Sequence, residues 1–186
     1  MRTVVLMLAV TVATGCATRL TGSDYQALEP QFDLFRFFNG DVVAYGVVQN
    51  HRGAVVQQFK VDIRGSVDGN RLTLDEQFTY NLGSGIRERV WSIERMSDGS
   101  YRGRAGDVLA DATGRAFGNA FQFEYQMDLP VGDDEVRVRF NDWIWALDER
   151  HIINRSYIQK FGLDVAEVTL FMRRKSPLDS PDAGPP

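Results

Sequence analysis

Phe117-Gly118-Asn119-Ala120-Phe121-Gln122-Phe123-Glu124-Tyr125-Gln126-Met127-Asp128-Leu129 reads with a period of two. One parity carries Phe117, Asn119, Phe121, Phe123, Tyr125, Met127 and Leu129, and the other Gly118, Ala120, Gln122, Glu124, Gln126 and Asp128. Successive side chains of a strand point to opposite faces, so this stretch predicts one long strand, apolar on one side and wet on the other. A helix stripe through Phe121 would also need apolar residues three and seven positions on, where Glu124 and Asp128 stand.

The same alternation recurs outward from that stretch. From Arg71 to Tyr80, Leu72, Leu74, Glu76, Phe78 and Tyr80 oppose Arg71, Thr73, Asp75, Gln77 and Thr79. From Glu135 to Ile144 it runs through Val136, Val138, Phe140, Asp142 and Ile144, and it is less regular in Val55–Ile63 and Leu163–Met172. Between these runs Asp68-Gly69-Asn70, Gly83-Ser84-Gly85, Asp98-Gly99, Ala112-Thr113-Gly114 and Gly132-Asp133-Asp134 supply turn residues tolerant of positive φ. Strands are predicted near 41–50, 54–66, 70–81, 86–96, 100–109, 115–129, 134–146, 150–161 and 163–174. Eight or nine long sequential strands remove their edges by closing, so the expected fold is all-β: a single antiparallel up-and-down β-barrel, lipocalin- or calycin-like. A β-sandwich has the same periodicity and stands as the alternative.

The start of the chain has a different character. Met1-Arg2 is followed by an uncharged stretch from Thr3 to Thr14, then Gly15 and Cys16, the single cysteine. The apolar run is too short to span a bilayer as a helix, which takes about 20 residues, and reads as the core of an export signal. Ala13-Thr14-Gly15-Cys16 looks like a lipobox, so residues 1–15 are expected to be cleaved and Cys16 acylated. The chain would then be held to a membrane by this lipid anchor. Residues 16–31 would serve as a tether with room for a short helical turn, residues 32–175 as the barrel domain, and residues 176–186 (SPLDSPDAGPP) as a disordered proline-rich tail. Ala17-Thr18 lacks the aspartate associated with inner-membrane retention. The expected location is therefore the cell envelope, facing the periplasm, on the outer membrane.

Three polar residues fall on otherwise apolar parities: Glu76, Asn119 and Asp142. A carboxylate on an inward face is costly unless partnered or protonated. Arg87 and Arg89 share a parity with Trp91 and Ile93 and are natural counter-ions, while Arg155 alternates with Ile153 and Tyr157. Asp107 follows Tyr101, Gly103 and Ala105, where small residues make room for a ligand or for a neighbouring aromatic. The candidate ligand-binding residues are Glu76, Arg87, Arg89, Trp91, Asp107, Asn119 and Asp142. The bland alternative for the same residues is an internal network of ion pairs that pins strand register. Trp91, Trp143 and Trp145 fit a ligand mouth, a membrane contact or plain core.

Other chemistries find little support. A formal charge of −4 with dispersed cations leaves no basic footprint for nucleic acid. The body has no cysteine nucleophile, no Gly-x-Ser-x-Gly elbow and no phosphate-cradling glycine loop. A histidine-based zinc site would have to unite His51, His151 and carboxylates from distant strands. Neither a metal, a cofactor nor a catalytic residue is assigned.

Phe37-Phe38-Asn39-Gly40, Leu74-Asp75-Glu76-Gln77-Phe78-Thr79-Tyr80, Arg89-Val90-Trp91-Ser92-Ile93, Gly118-Asn119-Ala120, Asn141-Asp142-Trp143 and Lys160-Phe161-Gly162 occur in this order. Together they resemble the pattern of the domain-of-unknown-function 3833 family, lipoproteins of Gram-negative bacteria. Where that pattern has Asp-Gly after the Phe-x-Tyr segment, this chain has Asn81-Leu82-Gly83-Ser84-Gly85. The resemblance implies an envelope lipoprotein and brings no activity with it. The leading expectation is an anchored barrel that binds a small apolar or amphipathic molecule, such as a fatty acid or lipid fragment. A filled barrel serving as a structural or interaction module comes second, and an enzyme acting on envelope lipids or esters through Glu76 or Asp142 third.

Overall fold

The computed structural model describes residues 20–131 and 134–176. The leader, Cys16 and all but the first residue of the predicted tail lie outside the described residues. Ten strands follow one another: β1 (Gly40–Asn50), β2 (Val55–Asp68), β3 (Arg71–Leu82), β4 (Glu88–Arg95), β5 (Tyr101–Arg104), β6 (Ala112–Phe117), β7 (Ala120–Val131), β8 (Asp134–Ala146), β9 (His151–Lys160) and β10 (Leu163–Arg174). Each pairs antiparallel with its sequence neighbours, and β1 pairs with both β2 and β10, so the sheet closes. The fold is an all-β, up-and-down barrel, and the sandwich alternative is set aside.

The strand count corrects the expected eight or nine. Gly118, with φ of 53°, and Asn119 form a two-residue turn that cuts the expected strand 115–129 into β6 and β7. A turn of that length reverses the chain and changes which parity faces in. On β7 the inward residues are odd, Phe121 to Leu129, whereas on β6 they are even: Ala112, Gly114 and Ala116. Phe117 therefore points outward and stacks on Trp143 with ring centroids 6.2 Å apart.

One end of the barrel is plugged. Asp33 caps a single helical turn, α1 (Leu34–Phe38), its Oδ1 accepting from the amides of Phe35 (2.9 Å) and Arg36 (3.1 Å). Leu34, Phe35, Phe37 and Phe38 are all buried, and Phe35 meets Tyr101 at 6.0 Å while Phe32 meets Phe121 at 6.3 Å. Arg95 clamps the plug, donating from Nη2 to Asp33 at 2.8 Å with its guanidinium 4.6 Å from the Phe35 ring. Burying this aromatic set contributes about 1.5–3 kcal/mol per side chain.

Residues 20–31 run along the outside of that end. Tyr25 lies 5.5 Å from Trp143 and 6.1 Å from Trp145, and the Phe32 amide donates to Gly118 O at 2.8 Å. Trp143 is 1% exposed although its strand position points away from the interior. The short helical turn expected in this stretch is a 3-10 turn, Gly22–Asp24.

Candidate functional site

β5 and β6 have four and six residues against twelve in β3 and β7. The expected strand 100–109 stops at Arg104, and residues 105–111 form a loop that folds over the shortened wall, Leu109 N donating to Gln126 O at 2.9 Å. Gly103 and Gly114 have no side chain to occupy the space next to them. A Cβ on Gly103 would collide with Phe123, and one on Gly114 would approach Phe121 at 2.6 Å. The small residues therefore make room for neighbouring aromatics.

Above the α1 plug the barrel encloses a space of about 1080 Å3. Its floor includes Leu34 and Phe38, its walls Val61, Ile63, Trp91, Phe123, Met127, Val138 and Ile158, and its rim Ser84, Gly85, Ile86, Val131 and Lys160. Several apolar side chains at this end are open to solvent, among them Val131, Leu163 and Phe161, the last 93% exposed at the β9–β10 turn.

Polar groups converge partway along this space. Glu76 and Arg89 are direct partners across β3 and β4. Arg89 nevertheless donates Nε and Nη2 to one oxygen of Asp107, at 3.0 and 2.6 Å. The Glu76 carboxyl makes no hydrogen bond to any described residue and faces the open space. From β8, Asp142 accepts a hydrogen bond at Oδ2 from the Tyr125 hydroxyl (3.3 Å), while its Oδ1 is buried without a partner. Asp107 Oδ1 is likewise buried and unpartnered. Ser156 stands opposite Asp142 on β9 and donates to Asn154 Oδ1 at 3.3 Å. Trp91 packs edge-on against Phe123 and Tyr125, both at 5.3 Å.

Enclosure dominates the electrostatics. It raises Glu76 to about 7; the Arg89 guanidinium pulls it back, and Asp107, Asp142 and Asp75 push it further up. Enclosure also raises Asp142 to about 7, against the nearby Ser156 hydroxyl, the hydrogen bond from Tyr125 and the positive charge of Arg89. Burial opposes the charge on Arg89, yet Tyr125, Glu76 and Asp107 outweigh it and hold the group above its ordinary value. Tyr125 is pushed well up by burial and then by Asp142. Near neutrality the cluster thus holds one firm cation, its partner Asp107, and two carboxyls that exchange protons.

Glu76, Arg89, Trp91, Asp107 and Asp142 come together, and two candidates do not. Arg87 is exposed in the loop before β4, its carbonyl accepting from Phe78 N at 2.8 Å. Asn119 lies in the β6–β7 turn at the plugged end, its carbonyl accepting from Ala146 N at 2.8 Å. The expectation that both face the interior is corrected: strand β4 begins only at Glu88, and the tight turn takes Asn119 out of the strand. Arg155 faces outward toward Glu167, 3.8 Å away. Tyr125, Asn154 and Ser156 belong to the cluster although the sequence did not single them out. A signal for the last two existed: they share a parity with Ile152 and Ile158.

His151 pairs with Asp148 at 2.8 Å beside the plug, and His51 sits in the β1–β2 turn at the opposite end. Among the described residues no three His, Cys, Asp or Glu side chains are grouped to hold a metal ion.

Fold and site together define a closed antiparallel barrel with one end plugged, an apolar interior and a carboxyl-rich polar cluster within it. The sequence profile of a family described as "Protein of unknown function (DUF3833)" matches residues 10–174, and the chain belongs to that family. A search of curated proteins finds no match to this chain.

Proposed function

We propose that this protein binds a small apolar or amphipathic molecule of the lipid class inside its barrel, on a chain tethered to the periplasmic face of the outer membrane through an acylated Cys16. The observation that carries the reading is the interior of about 1080 Å3, apolar along most of its wall and equipped with a few convergent polar groups. That combination typifies small-molecule sites, whose volumes run to about 300–1,000 Å3. Each methylene of a tail transferred from water to such walls contributes about 0.8 kcal/mol. The plug supports entry from one end, because α1 occupies the other.

Native mass spectrometry of the full chain purified from its own membranes tests this. A bound amphiphile at one copy per chain is expected. A ligand-free spectrum, together with no uptake of added long-chain alcohol, would overturn the proposal in favour of a structural module. Mass analysis of the N-terminal peptide and membrane fractionation test the anchor and its membrane.

A further inference from the structure

We infer that the polar group of the bound molecule is a hydrogen-bond donor, neutral or cationic, such as a long-chain alcohol or amine, and not the carboxylate of a free fatty acid. This rests on the ligand-binding reading above and specifies the chemistry of that same site.

The balance of donors and acceptors decides it. Three carboxyl groups, Glu76, Asp107 and Asp142, meet one guanidinium in the cluster. Arg89 spends Nε and Nη2 on Asp107 Oδ2. Among the described residues Glu76 has no hydrogen-bond partner, and one oxygen each of Asp107 and Asp142 is buried without one. From the elements around Glu76 come Arg89 on β4, Asp107 from the β5–β6 loop, Tyr125 on β7 and Asp142 on β8, whereas its β2 partner is Ile63. The Tyr125 hydroxyl is already committed to Asp142. Lys160, the other cation lining the space, belongs to the rim beside the Phe161 ring.

A fatty-acid anion would bring a fourth carboxyl to a place already in excess of acceptors, within reach of like charge. An incoming O–H or N–H finds Glu76 waiting, and an ammonium also neutralises it. Like charges in an enclosed site repel strongly, since the effective dielectric is well below that of water. Because Glu76 and Asp142 lose their protons near neutrality, the discrimination strengthens as the medium becomes alkaline.

The test uses the full chain, freed of endogenous ligand, with Nile red as a neutral reporter. Tetradecanol, tetradecylamine and myristate compete for it below their micelle concentrations at about pH 8 and about pH 5.5. At the higher pH the amine is expected to bind on the order of tenfold or more tightly than myristate, with the alcohol between them. At the lower pH the gap between amine and myristate should narrow, and Glu76→Gln should narrow it at pH 8 as well. Myristate binding as tightly as the amine at pH 8, in the unmodified chain, overturns the head-group assignment alone. Failure of all three to displace the reporter overturns the ligand-binding reading itself, and this inference with it.

Discussion

Arg89 places two of its N–H groups on a single oxygen of Asp107 and none on Glu76, its direct neighbour across the β3–β4 pair. The ion pair therefore joins a strand to the loop that replaces the ends of β5 and β6, and it leaves the adjacent carboxyl unneutralised.

Asp107→Ala frees the guanidinium for Glu76, so the loss should be small, about 1 kcal/mol. Adding Glu76→Gln removes the substitute acceptor, and the pair of changes should cost about 3 kcal/mol, as for an unpaired buried charge. In the unmodified background Glu76→Gln at pH 8 should instead stabilise. Urea denaturation of the four chains closes this cycle, and additivity of the two substitutions would contradict it.

The pH dependence has a definite sign. Glu76 and Asp142 titrate near 7 when folded, above their ordinary values of 4.5 and 3.8, so between those values and 7 the folded chain holds more protons than the unfolded one. Their contribution to stability is complete below the unfolded values, is lost as pH rises through 7, and changes little beyond. The melting temperature attributable to these groups should fall from pH 5 to pH 8. Glu76→Gln should flatten that fall, by about 1–3 kcal/mol across the interval. A slope unchanged by the substitution would show that Glu76 is not responsible.

Gly65 lies where β2 passes under the helical plug, and a Cβ there would collide with the Phe38 carbonyl oxygen. Backbone cannot swing aside as a side-chain tip can, so Gly65→Ala should cost about 3 kcal/mol. Gly106→Ala, with nothing within 4 Å of the added carbon, should change stability by less than about 0.5 kcal/mol. Thermal melts of the two variants should differ plainly.

Phe161 adopts φ of 51° ahead of Gly162 at 79°, a turn that favours Asn-Gly. Its ring is almost wholly in solvent, so Phe161→Asn forfeits little packing and should stabilise by about 1 kcal/mol. A lower melting temperature would mean that the ring contributes more to the folded chain than its contact with Lys160.

Cys16→Ser should abolish acylation and move the chain from the membrane to the soluble fraction. Retention at the membrane would remove the anchor from the proposed function.

The clean alternation of β3, β7 and β8 identified their inward faces directly, down to Glu76 and Asp142. β2 and β10, whose alternation is less regular, each carry an extra residue: Val56 opposite the β1 step Val48/Gln49, and Val165 opposite the β9 step Ile158/Gln159. An extra residue in one strand of a pair breaks the period that pattern reading relies on. Asn119 and Phe117 were misplaced for a related reason: the apolar alternation continues through Gly118-Asn119 even though the chain reverses there. Trp143 escapes pattern logic altogether, because its outward position is covered by Tyr25 from more than a hundred residues away.

By itself, then, the sequence determined the class of fold, the sheet faces and the two enclosed carboxyls, since those follow from a period of two and the cost of burying charge. Closure into ten strands, the plug formed by α1 and the pairing of Arg89 with Asp107 instead of Glu76 were decided only by tertiary structure. Each depends on how far one segment lies from another in space, and side-chain periodicity along a strand carries no information about that distance.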